Sequence, residues 1–143
     1  MSIGRVLASF GFVVAAASVQ AADLPERVVI NAPIRAENPC ADPVVLGGIM
    51  DRFAWAETKT WRRGFVMAFL GNARDGNHPF DEPGLILRTY CVADSVMTDT
   101  TRRPVYYAIE RGQGFASIGN YVDFCVEGLD PWRVHDEACR TVR

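Results

Sequence analysis

No Cys-x-x-Cys pair occurs in the 143 residues, which argues against both a thioredoxin-like redox motif and a zinc knuckle. Histidine is scarce as well. His78 and His135 are the only two, they stand at no ligand-like spacing, and a metal site is not expected even though His78 has Asp81 and Glu82 nearby and His135 has Asp136 and Glu137. Neither Ser95 nor Ser117 lies in a nucleophile-elbow context, so a serine triad is disfavoured. Gly112-Gln113-Gly114 is too short to cradle a phosphate and reads as a turn, and no cofactor is expected. Internal repeats and low-complexity tracts are missing.

The charge balance also lacks an excess of basic residues. There are 15 basic against 17 acidic side chains, and without Arg5 the balance is 14 against 17, a formal charge of −3. A domain of this kind has no global positive field for nucleic acid, and Trp61-Arg62-Arg63, Arg102-Arg103 and the tail 140–143 are read as solvated basic points. A nucleic-acid partner is not expected.

What is present begins with residues 1–21, which have the three parts of a cleavable secretory signal. A basic start ends at Arg5, an apolar stretch covers 6–17, and Val19-Gln20-Ala21 is a small-residue exit. That stretch is shorter than the roughly 20 apolar residues a membrane span takes, and charges follow at Asp23, Glu26 and Arg27. No later apolar run is long enough to span, because charges and glycines interrupt each one. The expected product is an exported chain, periplasmic or secreted, that begins at Ala22. Four cysteines, Cys40, Cys91, Cys125 and Cys139, all lie beyond the signal, and an even number in an oxidising compartment suits two disulfides.

Residues 22–39 carry three prolines and one short extended run, Val28-Val29-Ile30, and are expected to form an arm leading into a single domain over 40–143. Asp42-Pro43 is a helix start, a capping side chain followed by the position where proline costs nothing. Leu46, Ile49, Met50, Phe53 and Ala56 or Glu57 then recur at helical spacing, which predicts a helix over 43–60. Its Gly47-Gly48 pair either weakens the helix or admits a close backbone approach. Aromatic and branched runs at 63–70, 85–97, 105–111 and 121–127 predict strands, with a polar loop at 71–84 and short turns at 98–103 and 112–120. Asp130-Pro131 predicts one or two closing helical turns that reach Cys139. The fold class is therefore α+β: an N-terminal helix on a curled antiparallel sheet of about four strands, braced by disulfides. In element order this resembles the cystatin-like and NTF2-like layouts, which host inhibitors, binding modules and enzymes alike.

Pairing 105–111 with 121–127 places Ile109 opposite Phe124 and Tyr107 opposite Val126, giving one apolar face. The same register sets Glu110 opposite Asp123, a like-charge pair that needs a cation, an arginine or a raised pKa. Paired carboxylates can act as general acid and base on a glycan, so Glu110 and Asp123 are the candidate catalytic pair; the competing reading is a solvated face neutralised by Arg88 or Arg111. Extending the meander puts Cys91 on the face of Cys125 with one strand between them, roughly 10 Å apart and too far for a bridge. Cys40 with Cys91 and Cys125 with Cys139 is preferred for its short second loop, and Cys40 with Cys125 and Cys91 with Cys139 stays open.

With no catalytic signature, the leading expectation is a noncatalytic binding or interaction module, inhibitor-like, facing a protein or an envelope glycan. The loop at 71–84 would carry recognition, with His78, Phe80 and Trp61 as binding candidates; Trp55 and Trp132 are alternatives for lining a groove. The second expectation is a small envelope hydrolase using Glu110 and Asp123.

Overall fold

The structure, a computed structural model, describes residues 25–76, 86–114 and 118–143. The expected signal at 1–21 lies outside these residues, as do His78, Phe80 and Ser117. Among the described residues no helix is long and apolar enough to cross a membrane.

Asp42 starts the long helix in the way its sequence position implies. Its Oδ1 accepts from the Val44 N–H at 2.9 Å, while Oδ2 accepts from the N–H groups of Arg35 and Ala36 at 2.8 and 2.9 Å. Three backbone donors on one buried carboxylate, the Ala36 N–H foremost, hold its pKa below the ordinary value. Helix α1 runs Pro43–Ala56 and buries Val45, Ile49, Phe53 and Ala56. The buried stripe is thus rotated from the expected one: Val45 is in the core, and Leu46 and Met50 only flank it. The helix also stops earlier than Thr60. A wider π-helical turn occupies Glu57–Trp61 and ends at Arg62, whose φ of 53° is left-handed.

Five strands follow the order β1 (Arg27–Ile30), β2 (Met67–Asp75), β3 (Arg88–Met97), β4 (Arg102–Arg111) and β5 (Asn120–Val126) along the chain. In space the antiparallel sheet reads β1-β5-β4-β3-β2. The count corrects the expected four. Val28-Val29-Ile30, taken for part of an arm, returns across the helix and pairs with β5 as an edge strand. Gly48 permits that approach, because a Cβ there would lie 2.5 Å from Ile30 Cδ1, whereas Gly47 has nothing within 4 Å. Residues Gly71 to Asp75, expected in a loop, continue β2 through register shifts against β3, with Asn72 left-handed at φ 53°.

The helix-side face carries the main core. Cys91, Ala93, Met97, Val105, Tyr107, Ile109, Val122, Phe124 and Val126 alternate inward along β3, β4 and β5 and meet the buried stripe of α1. Tyr107, at its centre, donates its hydroxyl to the Cys40 carbonyl at 2.5 Å. The β4–β5 register is shifted by two residues from the expected one: Tyr107 faces Phe124 and Ile109 faces Val122. A slip of two keeps every side chain on its face, so the apolar pattern cannot detect it.

Disulfides join Cys40 to Cys91 and Cys125 to Cys139. Cys91 lies opposite Tyr107 on the helix side, and Cys125 lies on the other side, opposite Tyr106. The expectation that Cys91 and Cys125 share a face is therefore wrong, and the sheet itself separates them. The closing segment also differs from its expectation. It is a chain of turns rather than helix, with Arg133, Asp136 and Cys139 all at left-handed φ.

Candidate functional site

The back of the sheet, away from α1, has a small apolar patch and a polar cleft. Ala108, Cys125, Cys139 and Val142 are buried there, with Tyr90 and Tyr106 packed beside them. The 125–139 bridge draws the C-terminal segment across the sheet. Between that segment and the strands lies a cavity of about 560 Å³, lined by Arg27, Arg88, Glu110, Asp123, His135 and Arg140 among others.

Strand register builds the floor of this cleft. Arg27 on β1 stands directly opposite Asp123 on β5, and Arg88 on β3 directly opposite Glu110 on β4. Opposite charges at facing positions attract across a sheet, and both pairs close. Arg27 donates from Nε and Nη2 to the two oxygens of Asp123 at 2.6 and 2.7 Å, a bidentate fork. Arg88 donates from Nε to Glu110 Oε1 at 2.7 Å. Those hydrogen bonds raise the pKa of each guanidinium above its ordinary value. Tyr121 adds its ring face to Arg27, 4.9 Å from the guanidinium carbon.

Glu110 and Asp123 are therefore not opposed to each other, as the expected register had them. Glu110 faces Tyr121 and Asp123 faces Ala108. An acid–base pair needs one carboxyl free to carry a proton and the other free to attack or to activate water. Here Asp123 has both oxygens on Arg27 and Glu110 has one on Arg88, which is the geometry of a charge-neutralised binding floor.

His135 forms part of the wall. It is 7% exposed, its backbone N–H donates to Asp130 Oδ2 at 2.7 Å, and its Nδ1 lies 2.5 Å from Thr141 Oγ1. The other ring nitrogen, Nε2, is buried with no hydrogen-bond partner among the described residues. Burial lowers the imidazole pKa below its ordinary 6.5, against smaller opposing effects of Asp123 and Asp130, so the ring is neutral at neutral pH.

The other candidates fall elsewhere. Trp61 is half-buried, edge-on to Phe53 and Trp132 at 6.3 Å each, with Arg63 stacked 4.7 Å away; it seals the end of the main core. Trp55 is exposed and covered by Arg52 at 4.0 Å. His78 and Phe80 lie outside the described residues. Among the described residues, no group of three or more His, Cys, Asp or Glu side chains is placed to hold a metal. A larger cavity of about 690 Å³ opens among Arg102, Arg103, Asp130, Arg133 and Glu137, but its Arg133–Glu137 pair is about three-quarters exposed on both sides and so strongly screened.

Arg27 was missed by sequence reasoning because its role depends on β1 being a strand. His135 was considered only as a metal ligand. One signal was available: a bridge from back-face Cys125 to Cys139 forces residues 126–139 to return over that face. Compared with protein-family models, curated proteins and solved structures, the chain matches none.

Proposed function

We propose that the chain is exported by cleavage after Ala21, to the periplasm or the exterior, and acts there as a noncatalytic binding module whose ligand sits in the back-face cleft. The observation that carries the reading is the cavity of about 560 Å³ between the closing segment and the sheet, with a floor of two arginine–carboxylate pairs, Arg27 with Asp123 and Arg88 with Glu110. Preformed clefts of several hundred cubic ångströms with a few fixed polar groups are the usual form of a ligand site. Two disulfides suit an oxidising compartment, and the Cys125–Cys139 bridge ties the cleft's outer segment to its strand floor, which lowers the entropy cost of binding and fits an inhibitor-like role toward a protein or an envelope glycan. The helix-then-meander order fits a cystatin-like or NTF2-like layout, with the recognition surface on the back of the sheet rather than on the 71–84 loop.

The test is affinity capture from a native envelope extract by the full exported chain, bridges intact, beside a charge-deleted R27Q/D123N variant. The variant should lose the captured ligand, and a loop 71–84 replacement should keep it. Capture that survives R27Q/D123N sinks the cleft assignment. The hydrolase reading predicts turnover that E110Q and D123N abolish; turnover surviving both would remove it.

A further inference from the structure

Resting on the reading of the back-face cleft as a ligand site, we propose that residues 130–138 form a strap over it that a proton on His135 releases, opening the cleft in mildly acidic surroundings. The strap is fixed at both ends. Leu129, just before it, is buried in the main core, and Cys139, just after it, is buried and bridged to Cys125 on the back of the sheet. Between Asp130 and Ala138, His135 alone is buried. Trp132 and Val134, the larger apolar side chains of the segment, are exposed. The imidazole is thus the one side chain with which the middle of the strap is plugged into the protein.

The strap's hydrogen bonds shape it without tying it to the strands. The His135 N–H donates to Asp130, His135 Nδ1 meets Thr141 Oγ1, and the N–H groups of Ala138 and Cys139 both go to Asp136. The longest of these joins residues six positions apart. The Arg133–Glu137 and Arg140–Asp136 pairs are equally local and largely exposed, so screening weakens them. Trp132 meets Trp61 edge-on, close to the Leu129 anchor. Arg133 and Asp136 hold left-handed φ of 54° and 66° without being glycine, so the closed strap carries local backbone strain.

The groups around the imidazole do not compensate a charge on it. His135 is faced by Arg27 from β1, Arg88 and Tyr90 from β3, Glu110 from β4, Asp123 from β5, and Asp130, Arg140 and Thr141 from the closing segment. Asp123 and Glu110 are engaged by Arg27 and Arg88, and Arg140 is engaged by Asp136. Asp123 and Asp130 favour the cation and Arg27 opposes it, but burial outweighs all three and holds the seated ring neutral below its ordinary 6.5. In the open form water solvates the ring, which then takes up its proton near 6.5. Opening is therefore favoured as pH falls through 6.5 toward the seated value.

The test is amide hydrogen exchange by NMR on the full exported chain, bridges intact, from pH 5 to 8, each rate divided by the intrinsic rate at that pH. In the parent, opening at the hydrogen-bonded amides of His135 and Ala138 should be flat above 7.5 and rise by up to about tenfold per pH unit below 6.5, while β3 and β4 amides keep their protection. H135Q, and H135F with its aromatic ring retained, should each remove the rise, and H78Q, at the other histidine, should keep it. T141V deletes the hydroxyl beside Nδ1 but leaves the imidazole titratable, so it should loosen the strap at every pH and preserve the pH dependence. A flat profile in the parent, or the same rise in H135Q and H135F, overturns the proposal. Simultaneous loss of protection in β3 and β4 would mean global unfolding and overturns the strap as well. Exchange is read without a ligand, so the cleft reading is judged apart from it. Envelope capture that depends on Arg27 and Asp123 keeps that reading even where the strap fails, and capture indifferent to them ends it even where the strap opens.

Discussion

The two faces of the sheet are covered by unlike means. On the helix side, 17 buried residues form one cluster in which the stripe of α1 meets apolar side chains from all five strands. On the back the buried apolar cluster among the described residues is Ala108, Cys125, Cys139 and Val142, and a turn-rich tail rests on them. Each face holds one disulfide. The front bridge ties a layer that burial already holds, whereas the back bridge is the principal tie of its layer. A layer held by a bridge and a few contacts keeps its polar groups reachable, which is why the candidate site lies there.

The largest expected effect probes the front. Phe53 is fully buried among core neighbours, so F53A should cost about 3–5 kcal/mol of global stability, read by chemical denaturation. On the back, V142A should cost about 1–2 kcal/mol, for two lost methylene equivalents. A back-face cost as large as the front one would break the comparison and mean that both faces belong to one cooperative core.

Deleting the bridges one at a time sharpens it. In the chain-entropy account, the 51-residue separation of Cys40 and Cys91 is worth about 4 kcal/mol and the 14-residue separation of Cys125 and Cys139 about 3 kcal/mol. The sizes are close, but the location of the damage should differ. C40A/C91A should lower the global unfolding midpoint while leaving 131–143 protected relative to the rest. C125A/C139A should release hydrogen-exchange protection in 131–143 first, with the sheet amides of β3 and β4 still protected. Uniform loss of protection in the second variant would show that the tail is integral to the core.

Acid should act on the two faces with opposite sign. Glu26, on the helix side near Arg52 and Arg63, is 3% exposed, and burial raises its pKa above 4.5 against the smaller opposing effect of its own backbone N–H. Between 4.5 and that raised value the folded state holds the proton and the unfolded state does not, so stability falls as pH rises through this window. For His135, burial lowers the pKa below 6.5, and there the unfolded state takes up the proton first; stability is lost as pH falls from 6.5 toward the folded value. E26Q should therefore stabilise the protein at neutral pH and flatten the first slope. H135Q should flatten the second. Melting curves across pH 4 to 8 for both variants check the signs, and parallel slopes in E26Q and the parent would remove Glu26 from the account.

Legibility in the sequence follows the same division. The helix start at Asp42-Pro43 and the in–out alternation of β4 and β5 rest on local chemistry, and both are visible without coordinates. The α+β class follows from them. Edge strand β1 is four residues long in a proline-rich stretch, too short for alternation to declare itself, and with it Arg27 vanished as a partner of Asp123. The two-residue slip between β4 and β5 preserves every face, so no apolar pattern could reveal it, yet it decides that Glu110 meets Tyr121 rather than Asp123 across that pair of strands. The tail's left-handed residues are Arg, Asp and Cys, types that do not announce such a turn as glycine does.

The smallest effect tests how tightly the front is closed. Gly47 and Gly48 are neighbours in α1, and each costs the helix about 0.8–1.0 kcal/mol relative to alanine. A methyl at Gly47 meets nothing within 4 Å, so G47A should recover most of that amount. At Gly48 the same methyl would sit 2.5 Å from Ile30 Cδ1 and 3.6 Å from Val28 Cγ2, and Ile30 is buried beneath the helix. Ile30 must turn aside or β1 must move away from α1, so the propensity gain is offset by lost packing. G48A should be neutral or destabilising, and should weaken exchange protection in β1. A gain at Gly48 equal to that at Gly47 would mean that the edge strand yields freely, and the helix-side layer would then be looser at β1 than its burial implies.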